Sequence, residues 1–368
     1  MSSLLEIYNH AHEQVIFCQN KDVGLRAIIA IDNTRLGPAL AGVRMYPYTS
    51  YEDALKDALA LSSSMTLKNA FAGLNIGGGK IVIIGDPSCE KNEFIFRALG
   101  KYVNTLGGRC IATAGAGTSV VDMEHIYIET PFVTGVHQVH GGSGDPAPFT
   151  AHGAIHAILA TLSRRYGHEE INQSTIAVQG LGHTGMEFVK LLHERGARLI
   201  VTDLDPQRIV FACTHYGAKG CAPDEIYDAH CDIFAPCGCE SSIHQEHAKR
   251  ISAQIICGVA NNQLVDVEKT SVILADRHIL YAPDYIVNAG GAMNVSLEID
   301  GYNRERAMRL IRTIYYNLHT VFGLSEQRKQ PPQMIADEIA RNRITAIAKL
   351  RMSQGTTSIF KSRQMRIR

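Results

Sequence analysis

The sequence predicts an α/β fold: an N-terminal α/β substrate domain, a doubly wound Rossmann domain, and a C-terminal helix returning to the first. Three observations predict it. The chain has 368 residues, which suggests two domains. Thr175 to Asp203 reads as strand, glycine turn, helix, strand. Strand-like and helical segments then keep alternating, as βα units of a parallel sheet do. The expected domains are 1–136, with 333–368 packing back on it, and 137–332.

Thr175–Gln179 is a short apolar, β-branched run, as a buried parallel strand should be. Gly180, Gly182 and Gly185 form G-x-G-x-x-G, with Leu181, His183 and Thr184 between them. Gly180 makes the tight turn, Gly182 lets backbone approach a pyrophosphate, and Gly185 packs helix on strand. The helix from Met186 offers its N-terminal N–H groups and positive dipole end to phosphates. Leu199–Thr202 is the next strand, and Asp203 ends it. Its carboxylate suits ribose hydroxyls and repels a 2′-phosphate, so NAD is the expected cofactor.

Composition excludes several classes. The 36 basic residues balance 36 acidic ones, which gives no pull on nucleic acid or anionic membrane. No apolar run approaches the roughly 20 residues of a membrane span. The N-terminus lacks a signal-peptide core, and a cytoplasmic protein is expected. Nine cysteines include no C-x-x-C pair; Cys18, Cys110, Cys213 and Cys257 sit in apolar runs and read as reduced, buried thiols. The Cys237-x-Cys239 pair matches no usual zinc or redox spacing.

In chain order, 1–20 reads as a helix with Leu4, Leu5, Ile7 and Tyr8 on its apolar face. Leu25–Asn33 is a strand, and Gly37–Arg44 a turn-rich segment. Tyr51–Leu67 is a helix that delivers Lys68. Gly73–Lys80 reads as a glycine-rich loop, followed by the strand Ile81–Ile84. A helix at Asn92–Leu106, a strand at Arg109–Thr113 and a strand at Phe132–Gly135 follow. Thr150–Arg165 is a helix. Strand-like runs lie at Cys231–Ala235, Gln254–Val259, His278–Tyr281 and Tyr285–Asn288. Tyr302–Phe322 and Met334–Lys349 are helices separated by Pro331-Pro332, and the tail from Arg351 is basic and solvated.

Two lysines carry the candidate chemistry. Lys80 closes a glycine run and opens an apolar strand. Burial there, beside a second ammonium, favours the neutral amine that a general base needs. Lys68 suits a substrate carboxylate, held as a point charge.

The chain resembles the leucine, phenylalanine and valine dehydrogenases of the amino-acid dehydrogenase superfamily. The resemblance rests on Gly37–Arg44, Met65–Asn69, Gly77–Lys80, Gly142–Thr150, Gly180–Gly185, Asp203, Asp232–Cys237, Ala260–Leu264, Tyr281–Tyr285 and Asn288–Asn294. It implies NAD-dependent deamination of an apolar L-amino acid to its 2-oxo acid and ammonia, in a cleft between two domains. It also implies Lys68 on the substrate carboxylate and Lys80 as the base that activates water against the imine. Asn261, Asn262 and Asn288 would line the nicotinamide and substrate region, and Thr150 the carboxamide end. Leu40, Ala41, Gly42, Ala114, Ala292 and Val295 would shape the substrate pocket. A homo-oligomer formed through the first domain is implied, and no metal is needed. His137, His140, His152 and His156 therefore read as loop or helix-surface histidines.

The sequence departs from the family pattern T-A-E-D-V-G-T, whose Asp is the proton-shuttling carboxylate. Thr113-Ala114-Gly115-Ala116-Gly117-Thr118 stands there, with no acid from Ile111 to Val121. The nearest is Asp122. Two alternatives follow: a divergent imine or ketone reductase, and a non-catalytic NAD-binding protein.

Overall fold

Two sheets organise the molecule, one in each domain. The computed structural model describes residues 11–238 and 243–353. The first sheet contains β1 (Gln14–Asn20), β2 (Leu25–Asn33), β3 (Ala39–Tyr46), β4 (Gly77–Ile84) and β5 (Cys110–Ala114), in the order β1-β2-β4-β3-β5. β1 and β2 pair antiparallel, as do β2 and β4, whereas β4, β3 and β5 run parallel. The parallel strands are joined by α1 (Tyr51–Phe71) and α2 (Glu93–Thr105).

Local chemistry sets these elements. Ser50 caps α1 by accepting the Asp53 N–H. Glu52 and Asp53 sit in its first turn and Lys68 in its last, each on the favourable end of the helix dipole. Ala54, Leu55, Ala58 and Leu59 of α1 pack on Ile28, Ala30, Val82 and Ile84 of the sheet. The opposite face buries Ala39, Ala41, Val43, Ile81 and Ile83 under α2 and α3 (Val120–Glu129).

The second sheet is wholly parallel. It contains β6 (Thr175–Gln179), β7 (Arg198–Thr202), β8 (Lys219–Gly220), β9 (Ile233–Pro236), β10 (Ile255–Ile256) and β11 (Leu280–Tyr281). Its order, β11-β10-β9-β6-β7-β8, reverses direction between β6 and β9, which is where a doubly wound sheet opens its ligand crevice. The flanking helices are α4 (Ala147–Tyr166), α5 (His183–His193), α6 (Pro206–Tyr216), α7 (Gln245–Arg250), α8 (Val267–Asp276), α9 (Asp284–Val287), α10 (Gly290–Ser296) and α11 (Arg304–Arg328). The last helix, α12 (Pro332–Ser353), returns to the first domain. There Ala340 and Ile344 join Leu36 and Ala70 in one apolar cluster. Arg343 donates to the carbonyls of Gly73 and Leu74 and to Asn75. No helix among the described residues is long and apolar enough to cross a membrane.

Several sequence readings are corrected. Residues 14–20 form an edge strand, not a helix; the rest of that predicted helix's apolar face, 4–8, lies outside the described residues. Gly37–Arg44 is mostly strand, because Ala39–Tyr46 pairs with β4 on one side and β5 on the other. Gly77–Lys80 is likewise strand and not loop. The strand expected at 132–135 shrinks to one bridge between Val133 and Ala112. Tyr285–Asn288 belongs to a helical turn after Pro283. Cys239 and the basic tail beyond 353 lie outside the described residues.

Candidate active site in the interdomain cleft

Lys80 lies in β4 with its side chain on the α1 face. It pairs with Gly42 in β3, which pairs with Thr113 in β5. A methyl group added to Gly42 would sit 3.4 Å from Lys80 Nζ, so the lysine lies along this bare position. Lys80 is 7% exposed. Ala39 and Ala41, by contrast, point to the opposite face and join the first-sheet core. The expectation that Ala41 shapes the substrate pocket is therefore corrected. Ala114 is corrected for the same reason: it pairs with Val43 and packs on that same core. The side chain that β5 turns toward Lys80 is Thr113.

Lys68 comes from the last turn of α1 and is equally buried. Its Nζ donates to Asn261 Oδ1 across the cleft at 2.9 Å. Burial pushes the Lys68 amino group down to about 8, against the opposing pull of the Asp284 carboxylate. Asp284, which the sequence did not single out, is itself pushed up by burial; the Gln263 N–H and Lys68 oppose that shift. Asn288 donates to the carbonyls of Val259 and Ala260 and to Asn261 Oδ1. Asn261 and Asn288 thus form one network with Lys68. Asn262 adopts a left-handed backbone, φ 48°, and lines a cleft cavity of about 380 Å³ with Arg44, Tyr46, Tyr48, Asp57 and Asn261. Arg44 is held there by Asp57 at 2.9 Å. Leu40 and Val295 belong to one apolar cluster, with Ala292 packed against it.

The dinucleotide crevice is shaped as its motif requires. Gly180 has φ +100°, and a Cβ there would lie 2.5 Å from the Gly238 nitrogen. A Cβ on Gly185 would lie 2.2 Å from the Gly180 carbonyl oxygen. Gly182 faces open space and caps α5 without any side-chain bond, so the N-terminal N–H groups stay available to a diphosphate. Asp203 accepts the Leu181 N–H at 2.5 Å and the Asp205 N–H at 2.9 Å. His183 bonds Asp145 at 2.5 Å, and that contact pushes the imidazole up. Thr150 donates to the Pro146 carbonyl and stands against Gly291. Thr184 lies half-buried in the first turn of α5. These residues fit a dinucleotide: the cradle is bare where phosphates approach and acidic where the ribose sits.

The turn without an acid is folded flush on β3. Thr118 Oγ1 donates to the Val43 carbonyl and accepts the Gly115 N–H, and the Met45 N–H donates to the Ala116 carbonyl. A Cβ on Gly115 would lie 2.7 Å from the Val43 oxygen. Asp122 caps α3 through Ser119 and pairs with Lys91 at 2.5 Å. Asp145 is taken by His183. A further carboxylate, Glu298, accepts from Gly135 and Ser143 near the same turn. Nothing in its sequence surroundings marked it.

Fold and site together define a two-domain α/β protein with a doubly wound parallel sheet and a lysine-bearing cleft. Residues 12–131 match the model of the Glu/Leu/Phe/Val dehydrogenase dimerisation domain, and residues 207–351 that of Glutamate/Leucine/Phenylalanine/Valine dehydrogenase. Leucine dehydrogenase from Geobacillus stearothermophilus is 46% identical over 347 residues, 94% of each chain. L-tryptophan dehydrogenase from Nostoc punctiforme is 40% identical, over 91% of this chain and 94% of that one. The crystal structure of L-tryptophan dehydrogenase from that organism superposes with a TM-score of 0.72 at 36% identity, covering 94% of this chain and 99% of that chain. Hetero-hexameric glutamate dehydrogenase from Thermus thermophilus shares the fold at TM-score 0.77 and 20% identity, over 97% of this chain and 96% of that chain. The chain belongs to the Glu/Leu/Phe/Val dehydrogenase family.

Proposed function

We propose that the protein is an NAD-dependent oxidoreductase that converts an apolar L-amino acid reversibly to its 2-oxo acid and ammonia. One observation carries this reading. Two lysines are buried on the α1 side of the first domain, Lys80 beside Gly42 and Lys68 at the helix end, and Lys68 already bonds the second domain through Asn261. Lys68 holds the substrate carboxylate as an ammonium. Lys80 is the base. Leu40, Gly42, Asn262, Ala292 and Val295 surround the substrate. Gly180, Leu181, Gly182, His183, Thr184, Gly185 and Asp203 hold the adenosine and diphosphate end, and Thr150, Asn261 and Asn288 the nicotinamide end. When bound, NAD supplies the hydride acceptor. We place the substrate domain at 1–136 with 333–368 and the cofactor domain at 137–332. The working form is a cytoplasmic homo-oligomer joined through the first domain.

The test follows NADH absorbance with purified full-length protein, a panel of L-amino acids, and the matching 2-oxo acids with ammonia. Turnover with apolar members is expected. Turnover only with imines or ketones would replace this reading by a reductase. Tight NADH binding with no turnover at all would leave a non-catalytic binding protein.

The lowered Lys68 gives a pH prediction. Its ammonium exists below about 8 and is lost above it. The KM for a 2-oxo acid, at saturating ammonia, should therefore hold steady below that pH and rise above it, by about tenfold per unit. A KM flat to pH 10 would show that the Lys68 ammonium is not lost near 8, and an unchanged KM in Lys68→Met would remove Lys68 as the carboxylate ligand.

A further inference from the structure

We infer that Thr113 holds the water that Lys80 activates, and so does part of the work of the acid absent from the 111–121 turn. The inference rests on the amino-acid dehydrogenase reading and adds a positioning residue to it.

Three observations carry it. First, Lys80, Gly42 and Thr113 stand side by side on three parallel strands. Their side chains share one face, because Ala112 and Ala114 pack on the opposite core. Secondly, the Thr113 hydroxyl is buried and has no hydrogen-bond partner, the residue being 5% exposed. Other buried threonines are satisfied: Thr66 donates to Asp32, Thr134 to the Ala112 carbonyl and Thr161 to that of Ile158. A buried hydroxyl left without a partner loses its hydration for no return unless something binds there. Thirdly, the segment that covers it is bare. Gly135 has φ +76°, and a Cβ there would lie 3.4 Å from Thr113 Oγ1.

The spacing sets the occupant. Adjacent strands lie about 4.8 Å apart, so Lys80 and Thr113 backbones are separated by roughly 10 Å. Lys80 Nζ spans half of that, since it rests over Gly42. The remaining gap of about 5 Å from Nζ to the β5 backbone leaves room beside the Thr113 hydroxyl for one water that bonds both groups.

The carbon attacked is that of the protonated imine, C=NH2+, which hydride loss from the amine leaves; the water oxygen forms a bond to it while the carbon–nitrogen π pair moves to nitrogen. Lys80 Nζ takes a proton from the water and passes it to that nitrogen. The carbon–nitrogen bond then breaks, the remaining hydroxyl proton goes to Lys80, and ammonia leaves the 2-oxo acid. Thr113 accepts the water's second hydrogen and fixes which lone pair faces carbon.

Thr113→Val keeps shape and removes the hydroxyl. It should lower kcat by about 5- to 150-fold, as expected for losing one buried hydrogen bond. It should leave KM for the amino acid within about threefold and shift the acid limb of the kcat–pH profile. Thr113→Ser should restore both. A crystal structure of the full chain with NAD alone should show one water bonded to Lys80 Nζ and Thr113 Oγ1, and the valine variant should lack it. Unchanged kcat and pH profile in the valine variant would overturn the inference, as would an effect on KM and side-chain preference alone. If the wild type turns over no amino acid, the functional reading falls. The crystallographic arm still decides the inference: a bridging water upholds it, and none defeats it.

Discussion

Replacing Lys80 by methionine should lower kcat by a factor on the order of 10²–10⁴, the usual worth of a positioned general base. The thermal midpoint should hold or rise. Lys80 is buried on a sheet face beside Gly42, and an apolar side chain of similar volume leaves no polar amine to be desolvated there. Activity and stability should therefore move in opposite directions, which a merely misfolded variant cannot do. Steady-state kinetics with the best amino acid and a thermal melt on the same preparation check it. A kcat within about threefold of wild type would show that another group abstracts the proton.

The expected size of that loss depends on how the site was assembled, and the sequence disclosed only part of it. The dinucleotide half was legible. Ile176–Val178 are apolar at consecutive positions because both faces of a parallel sheet are covered, and the strand is observed as predicted. The glycine turn and Asp203 follow from one local motif whose spacing is rigid. The substrate half was harder, because small residues hide its strands. Ala39, Ala41 and Gly42 resemble a turn in composition, yet they form β3, and Gly42 is small so that Lys80 can lie across it. Gly77–Gly79 resemble a loop for the same reason. A Cβ on Gly78 would lie 2.2 Å from the Thr66 nitrogen of α1, so close helix packing and not flexibility requires it.

Facing was the second obstacle. Side chains alternate along a strand, and an error of one residue moves a position to the other side of the sheet. Ala41 and Ala114 were placed in the pocket; pairing puts both in the core and brings Thr113 to the cleft instead. Asp284 and Glu298 reach the site from the second domain only through tertiary contacts. No local pattern encodes such contacts. The tight turn at Gly115–Thr118 shows the same limit. The sequence says that no carboxylate stands there, but only the bonds to Val43 and Met45 show that a side chain on Gly115 would collide with β3.

Lys68→Met should damage binding and stability together, with different pH dependences. Losing a buried ammonium opposite the substrate carboxylate should cost at least about 2 kcal/mol, so KM for the 2-oxo acid should rise by about 30-fold or more. The same change leaves Asp284, which is 5% exposed, without the cation that favours its charged form. Stability should fall by about 1–2 kcal/mol at neutral pH, the scale of a nearby but non-contacting charge, since Asp284 keeps the Gln263 N–H. The sign of its pH dependence follows from linkage. Burial already raises Asp284, and removing Lys68 raises it further, so the folded variant binds a proton more tightly than the unfolded chain. A group with a raised carboxyl pKa gains stability as pH falls. The deficit relative to wild type should therefore shrink on mild acidification, once Asp284 is neutral in the variant. Wild-type Lys68 contributes the opposite trend at alkaline pH. Its amino group titrates near 8 in the folded protein against 10.5 as the ordinary value. Between those two values the unfolded chain holds the extra proton, and wild-type stability should rise with pH. Denaturant unfolding of both proteins from acid to alkaline pH separates the two groups: Asp284 sets the acid side of the difference and Lys68 the alkaline side. A difference that stays constant across the whole range would show that neither group is tied to the other through the cleft.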